Sequence, residues 1–252
     1  MKSSAKHSVD QCSVLKLVQP IRHVMPRIGG KKLYHVLADQ LLQNRIKIGR
    51  DKFFRLLKMN DLLIRPKKRY VSTTQSHHRF WVYDNLAKDL WLNKPNQLWV
   101  SDITYLKTYE GFCYLALITD AHSRKIVGFD VSDSLELNGC IRALKSALQT
   151  ASDLGQLVHH SDRGIQYCSR QYIDLLKQKG IRVSMAAKGD CYENALAERV
   201  NGILKDEFNL DIKFKTKQQA MEAVRQSVYI YNRHRPHWSL NLKTPEQCHQ
   251  VN

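Results

Sequence analysis

No run of apolar residues in this 252-residue chain approaches the ~20 that a membrane-spanning helix needs, and no apolar signal-peptide core follows Met1. The expectation is a soluble, cytoplasmic chain with no membrane partner. Paired cysteines are also missing. Cys12, Cys113, Cys140, Cys168, Cys191 and Cys248 are scattered without a C-x-x-C unit, which points to reduced core thiols rather than a disulfide framework. His77, His78, His159 and His160 have no cysteine pair at ligand spacing, so no zinc module is expected. Internal repeats, low-complexity tracts and a sustained heptad pattern are absent. Acidic residues are scarce: 23 stand against 40 Lys and Arg, giving a net charge of +17. That imbalance calls for a polyanionic partner.

What is present suffices for a folded protein. Hydrophobic residues make up 43% of the chain, enough for a core, and wholesale disorder is excluded. The basic excess is uneven: residues 1–90 hold 19 Lys and Arg against 6 Asp and Glu, residues 91–252 hold 21 against 17. Residues 1–26 carry only the apolar patch 14–18 and are interrupted by Pro20 and Pro26, which reads as a short helix or arm. Apolar positions at near-helical spacing predict helices over 31–43 and 50–60, with Gly49 in the connection. Two short helices joined at a glycine and bearing Lys31, Lys32, Arg50, Lys52, Arg55 and Lys58 resemble a helix-turn-helix that meets DNA phosphates; a merely soluble helical hairpin is the alternative. The basic stretch with Lys67, Lys68 and Arg69 either tracks a phosphate backbone or separates two domains. We divide the chain into a helical, helix-turn-helix-like region (1–64), a basic linker (65–94), a catalytic core (95–215), and a C-terminal helix with a basic arm (216–252).

From Gln97 the pattern changes to strands. Segments 98–108, 112–120 and 125–132 predict an antiparallel meander, followed by a helix (135–150), a buried strand (157–160), a helix (169–179) ending at Gly180, a strand (181–186) and a further helix. This order is that of a ribonuclease H-like α/β domain, a mixed five-stranded sheet with flanking helices. Three carboxylates fall at ends of these elements: Asp102 on the first strand, Asp162 just past the fourth, and Glu198 on the last helix. Gathered without a cation they would repel one another by roughly 4 kcal/mol per pair at 4 Å and an effective dielectric near 20, so a convergent triad implies divalent metal. Taken singly, each acid is as easily a solvated surface residue.

The flanking words decide between these readings. WVSDITYL, ITDAHSRKIVGFDVSD, HHSDRGIQYCS, GDCYENALAERVNGILKDE and YNRHRPHWSLNLKTPEQ, with 35 residues between Asp162 and Glu198, resemble the DDE transposases of insertion-sequence family three, the integrase-like group. The resemblance implies a polynucleotidyl transferase that cleaves DNA at insertion-sequence ends and transfers the strand by phosphodiester transesterification. It implies Asp102, Asp162 and Glu198 as catalytic metal ligands for two Mg2+ ions, with Mn2+ able to substitute. Two such ions, about 3.5–4 Å apart, stabilise the attacking and leaving oxygens of an in-line displacement. The implied partners are double-stranded DNA (the element's terminal inverted repeats and the target), further copies of the chain on that DNA, and an upstream-frame product or fusion; the implied location is the prokaryotic nucleoid.

Gln166 and Tyr167, Asn194 one turn before Glu198, Lys205 two turns after it, and Arg233 and Arg235 are candidate DNA contacts, and Gly164 is read as letting the backbone approach substrate. Trp238 is read as a packing anchor for the tail. Glu193 stands where the family places Asp, a change that keeps the charge. Two other classes of function stay open: a DNA-binding regulator with a relic catalytic domain, and a ribonuclease H-like nuclease that does not join strands.

Overall fold

The computed structural model describes residues 2–64, 81–88, 90–151, 154–187 and 194–250, with side chains from residue 11 onward. Lys67, Lys68, Arg69 and Glu193 lie outside the described residues. The chain divides into two compact units, Met1–Arg69 with Asp206–Asn209, and Tyr70–Lys205 with Leu210–Asn252.

The helical unit contains α1 (Lys2–Val24), α2 (Gly30–Val36), α3 (Ala38–Gln43) and α4 (Arg50–Met59). The expected short, proline-broken helix at the start is instead a 23-residue helix that runs through Pro20. Val14, Val18, Ile21 and Met25 follow one another at helical spacing and are all buried, while Pro20 sits on the exposed face. Burying side chains of this size contributes about 1.5–3 kcal/mol each, enough to offset the roughly 3 kcal/mol that an interior proline costs. The helix expected over 31–43 divides at Leu37, whose φ of −82° and ψ of −9° leave the backbone near helical geometry. Leu33, Leu37 and Leu41 still form one buried row, facing Phe53, Leu56 and Leu57 of α4. Arg22 ties the ends of these helices together by donating to the carbonyl oxygens of Pro26 (3.2 Å), Ile28 (2.6 Å) and Leu62 (3.1 Å).

The second unit is built on a sheet ordered β3-β2-β1-β4-β5: β1 Leu98–Thr108, β2 Gly111–Asp120, β3 Ile126–Ser132, β4 Val158–Ser161 and β5 Arg182–Met185. β1, β2 and β3 form the antiparallel meander. β4 and β5 run parallel to β1, a pairing that requires crossover helices, supplied by α5 (Leu137–Thr150) and α6 (Arg170–Gln178). This is the expected ribonuclease H-like arrangement, with one addition: a two-residue β6 (Lys213–Phe214) pairs with the outer end of β1. Free thiols at Cys113, Cys140 and Cys168 are buried.

β1 is central and buried on both faces over its first half, as parallel-paired strands are. Trp99, Ala116, Ile118 and Val127 pack against Leu144 and Ala147 of α5 and Tyr172 and Leu176 of α6. On the other face Leu98, Val100 and Val158 meet Ala197 of α7 (Ala195–Glu207). α5 lies so close to β3 that a Cβ on Gly128 would stand 2.3 Å from the carbonyl oxygen of Ala143. Part of the segment read as linker belongs to this unit: Val82 and Tyr83 join the core, and the Leu86 amide donates to Ser184 Oγ at 2.8 Å. That contact covers β5, otherwise an open sheet edge.

The C-terminal region consists of α8 (Lys217–Arg233) and α9 (Pro245–His249). Asn232 bonds both backbone groups of Ile126 at 2.9 Å, and Lys125 pairs with Glu246 at 3.0 Å. These contacts latch the tail onto the turn between β2 and β3.

Candidate active site

The register of two parallel strands positions the first two carboxylates. Ser101 of β1 pairs with Ser161 of β4, so Asp102 follows that pair on β1 and Asp162 follows it just past the end of β4, the paired strands lying roughly 5 Å apart. Successive side chains alternate faces. Ser101 bonds His159 in the α5/α6 layer, and Val100 packs towards α7, so Asp102 shares the α7 face with Val100. Glu198 lies in the first turn of α7, exposed.

The three acids act on one another. The Asp102 carboxyl is pushed up to about 7 by burial, with Asp162's charge adding to the rise and Glu198's contributing further; hydrogen bonds from Asn201 and the Ile103 amide oppose it. Glu198 is likewise raised, by burial and then by Asp162. A carboxyl raised first by burial, with two further acids acting on it, is suited to accept a cation, and three hard oxygen donors suit magnesium or manganese. The donor set therefore fits a divalent cation. Among the described residues, however, no three such donors close around a single ion position. Asp102 Oδ2 accepts from Asn201 Nδ2 at 2.8 Å, Asp102 Oδ1 from the Ile103 amide at 2.9 Å, and Asp162 Oδ1 from the Gly164 amide at 2.9 Å. The carboxylates are neighbours held by the protein, with Glu198 extended to solvent.

The layer beneath them is rigid. His159 Nε2 lies 2.7 Å from Ser101 Oγ and 2.9 Å from Tyr172 Oη, and burial drives its pKa down to about 3, with His160 adding to the fall. A neutral His159 joins β1, β4 and α6 directly under the two aspartates.

Comparison with known proteins identifies this arrangement. Two family models, each described as integrase core domain, match residues 93–191 and 179–245. Over 247 residues the chain is 37% identical to the "Insertion element IS600 uncharacterized 31 kDa protein" of Shigella sonnei, covering 94% of this chain and 89% of that one. Over 202 residues it is 34% identical to "Transposase InsF for insertion sequence IS3A" of Escherichia coli strain K12, covering 78% and 69%. The chain belongs to the IS3 family of integrase-core transposases. By class the transposase is a DDE polynucleotidyl transferase. Its fold also matches a chain of the simian T-cell lymphotropic virus intasome in complex with PP2A regulatory subunit B56 gamma, with a TM-score of 0.52 at 17% identity, over 90% of this chain and 72% of that chain.

The transposase separates the expected DNA contacts into two groups. Lys31, Arg50, Lys52, Arg55, Lys58 and Arg233 are exposed. Five others have their side chains engaged inside the fold. Lys32 is buried 3.4 Å from Glu207. Gln166 is buried and donates to the Leu135 carbonyl at 2.7 Å. Tyr167, 2% exposed, packs with the rings of His159 and Tyr172. Asn194 is buried and donates to the Ser101 carbonyl at 3.1 Å.

The tail reverses its expected roles. Arg235 is 1% exposed with Nη1 2.8 Å from His237 Nε2, whereas Trp238 is 57% exposed. The Gly164 amide fixes the Asp162 carboxylate, and a Cβ on that glycine would meet Asp162 Oδ1 at 3.0 Å. Lys205 is half-buried, its Nζ 4.7 Å from the centre of the Tyr105 ring; burial lowers its pKa against the attraction of Asp102 and Asp211.

The sequence reading passed over Asn201, the residue that holds Asp102. Its signal was spacing alone: three residues after Glu198 on a helix, it shares that residue's face.

Proposed function

We propose that the transposase cuts one DNA strand at each end of its element and joins the freed 3′-hydroxyl to another phosphodiester, with Asp102, Asp162 and Glu198 as the catalytic centre. The observation that carries this reading is that Asp102, raised to about 7 first by burial, also feels the charges of both Asp162 and Glu198. The three carboxylates would hold divalent metal, which supplies charge neutralisation at the phosphate and an activated hydroxyl nucleophile. Asp102 would contribute to holding both ions, as the family pattern implies; Asn201 and the Ile103 amide orient its oxygens. Gly164 holds Asp162, and Glu198 would add its carboxylate from the first turn of α7. Lys205, on the same helix as Glu198 and within reach of Asp102's charge, would take a phosphate oxygen of the bound strand.

The exposed cations Lys31, Arg50, Lys52, Arg55 and Lys58 of the helical unit offer contacts to the duplex backbone, and assembly on DNA as a homo-oligomer accompanies them. The test uses DNA carrying the element ends with magnesium, comparing wild type with Asp162→Asn. Wild type yields both cut ends and joined strands, and the variant neither. Undiminished joining by the variant would defeat the proposal, and cutting without joined product would leave a nuclease. No cutting at all alongside DNA binding would favour a regulator.

A further inference from the structure

β1 and β2 extend past the helices that cover them. On one face Ile103 and Ala116 lie against the start of α5, bordering a narrow cleft closed by Leu135, Gly139 and Cys140. The register continues outward with Tyr105 opposite Tyr114 and Lys107 opposite Phe112, so Tyr105, Lys107 and Phe112 share that face beyond the start of α5 and are exposed. Tyr105 is 42% and Phe112 51% exposed, while Leu106, Thr108 and Cys113 on the reverse face are buried. The two rings meet edge to face at 5.5 Å.

Cations frame these rings. Lys205 lies over Tyr105 at 4.7 Å, and Lys213 of β6 lies over Tyr109, itself 72% exposed, at 4.0 Å. Acids stand nearby as well: Asp102 and Asp211 act on Lys205, and Glu110 accepts from the Lys217 amide at 2.8 Å. Contiguous exposed aromatics rimmed by charged residues mark an interaction surface. A protein partner would have to desolvate three lysines, whereas a nucleic-acid strand brings both flat bases and phosphate charge. Tyr105 stands three residues along β1 from Asp102, about 10 Å, or some three base steps of duplex rise.

We propose that Tyr105 and Phe112, flanked by Lys107, Lys205 and Lys213, form a stacking platform for an unpaired nucleotide of the DNA strand that continues past the bond being cut. The platform rests on the strand-cleavage reading for its purpose, yet its test needs no cleavage. The full chain, without divalent cation, is titrated into labelled oligothymidylate and into a blunt duplex. Exchanging both Tyr105 and Phe112 for alanine weakens oligothymidylate binding by roughly tenfold or more and leaves the blunt duplex unchanged, since aromatic stacking serves bases freed from pairing. The pair Tyr105→Phe and Phe112→Tyr, which keeps both rings, binds like wild type.

Equal binding by the alanine variant, or equal loss on both DNAs, would overturn the platform; so would a change of sedimentation mass with binding intact, which would mark a subunit interface. A transposase that shows the stacking signature but never cuts would leave the platform standing and the cleavage reading defeated.

Discussion

Asp102 is subject to two opposed influences. Burial and the charges of Asp162 and Glu198 favour its neutral form, and Asn201 and the Ile103 amide favour the anion. Because its folded-state pKa of about 7 stands above the ordinary 3.8, the cation-free folded protein keeps a proton that the unfolded chain has lost between those values. Stability therefore falls as pH rises from about 4 to about 7. Denaturant midpoints at pH 5 and pH 8 should drop more for wild type than for Asp102→Asn, and an equal drop in the two proteins would contradict this. Asn201→Ala removes the donor to Oδ2, so the acid limb of the pH–rate profile should move to higher pH with a loss of activity of about 10–100-fold. Loss of activity without movement of that limb would make Asn201 a packing residue only.

At the scale of elements, the close approach of α5 to β3 makes a sharp prediction. Gly128→Ala pushes a methyl group into the Ala143 carbonyl, and overpacking of this kind typically costs about 1–3 kcal/mol. Gly202→Ala in α7, with nothing within 4 Å of the added Cβ, should instead stabilise by about 1 kcal/mol through helix propensity. Calorimetric midpoints that shift in the same direction for both would refute the packing argument. The strands and helices of the sheet unit were legible because their apolar periods are strong and glycine and turn residues punctuate them: β1 was expected over the span it occupies, and α5 and α6 to within two residues.

Where the sequence misled, tertiary packing outweighed local rules. Pro20 marks a helix end by propensity, yet the buried row Val14, Val18 and Ile21 carries α1 through it. Arg235 and Trp238 look alike in a string of basic and aromatic residues, and only the fold decides that the arginine goes in and the tryptophan out. β6 is two residues long and has no period to read. The acidic residues were named from their flanking words, while Asn201 was not, because a lone helix-face asparagine carries no chemistry until its neighbour on the facing strand is known.

Over the whole molecule the charge is divided: the basic excess lies before residue 91, and the carboxylates follow it. On the proposed function this division would separate an electrostatic grip from the chemistry. DNA binding by the isolated chain should be weakly selective and should weaken steeply with salt, because phosphate neutralisation releases counterions. Replacing Arg55 and Lys58 by alanine should lower the slope of log affinity against log salt by about 2, as gel shifts at several salt concentrations would record. A steep preference for one end sequence that survives high salt would count against this.

The central claim is that Asp102, Asp162 and Glu198 together hold the cations that act on DNA. Counting bound Mn2+ by electron paramagnetic resonance on the DNA-bound transposase tests it most directly. The expected result is two ions per active chain in wild type and fewer in each of Asp102→Asn, Asp162→Asn and Glu198→Gln, in step with lost cleavage. Unchanged Mn2+ binding in all three variants, or full cleavage by a variant that no longer binds the ions, would contradict the account.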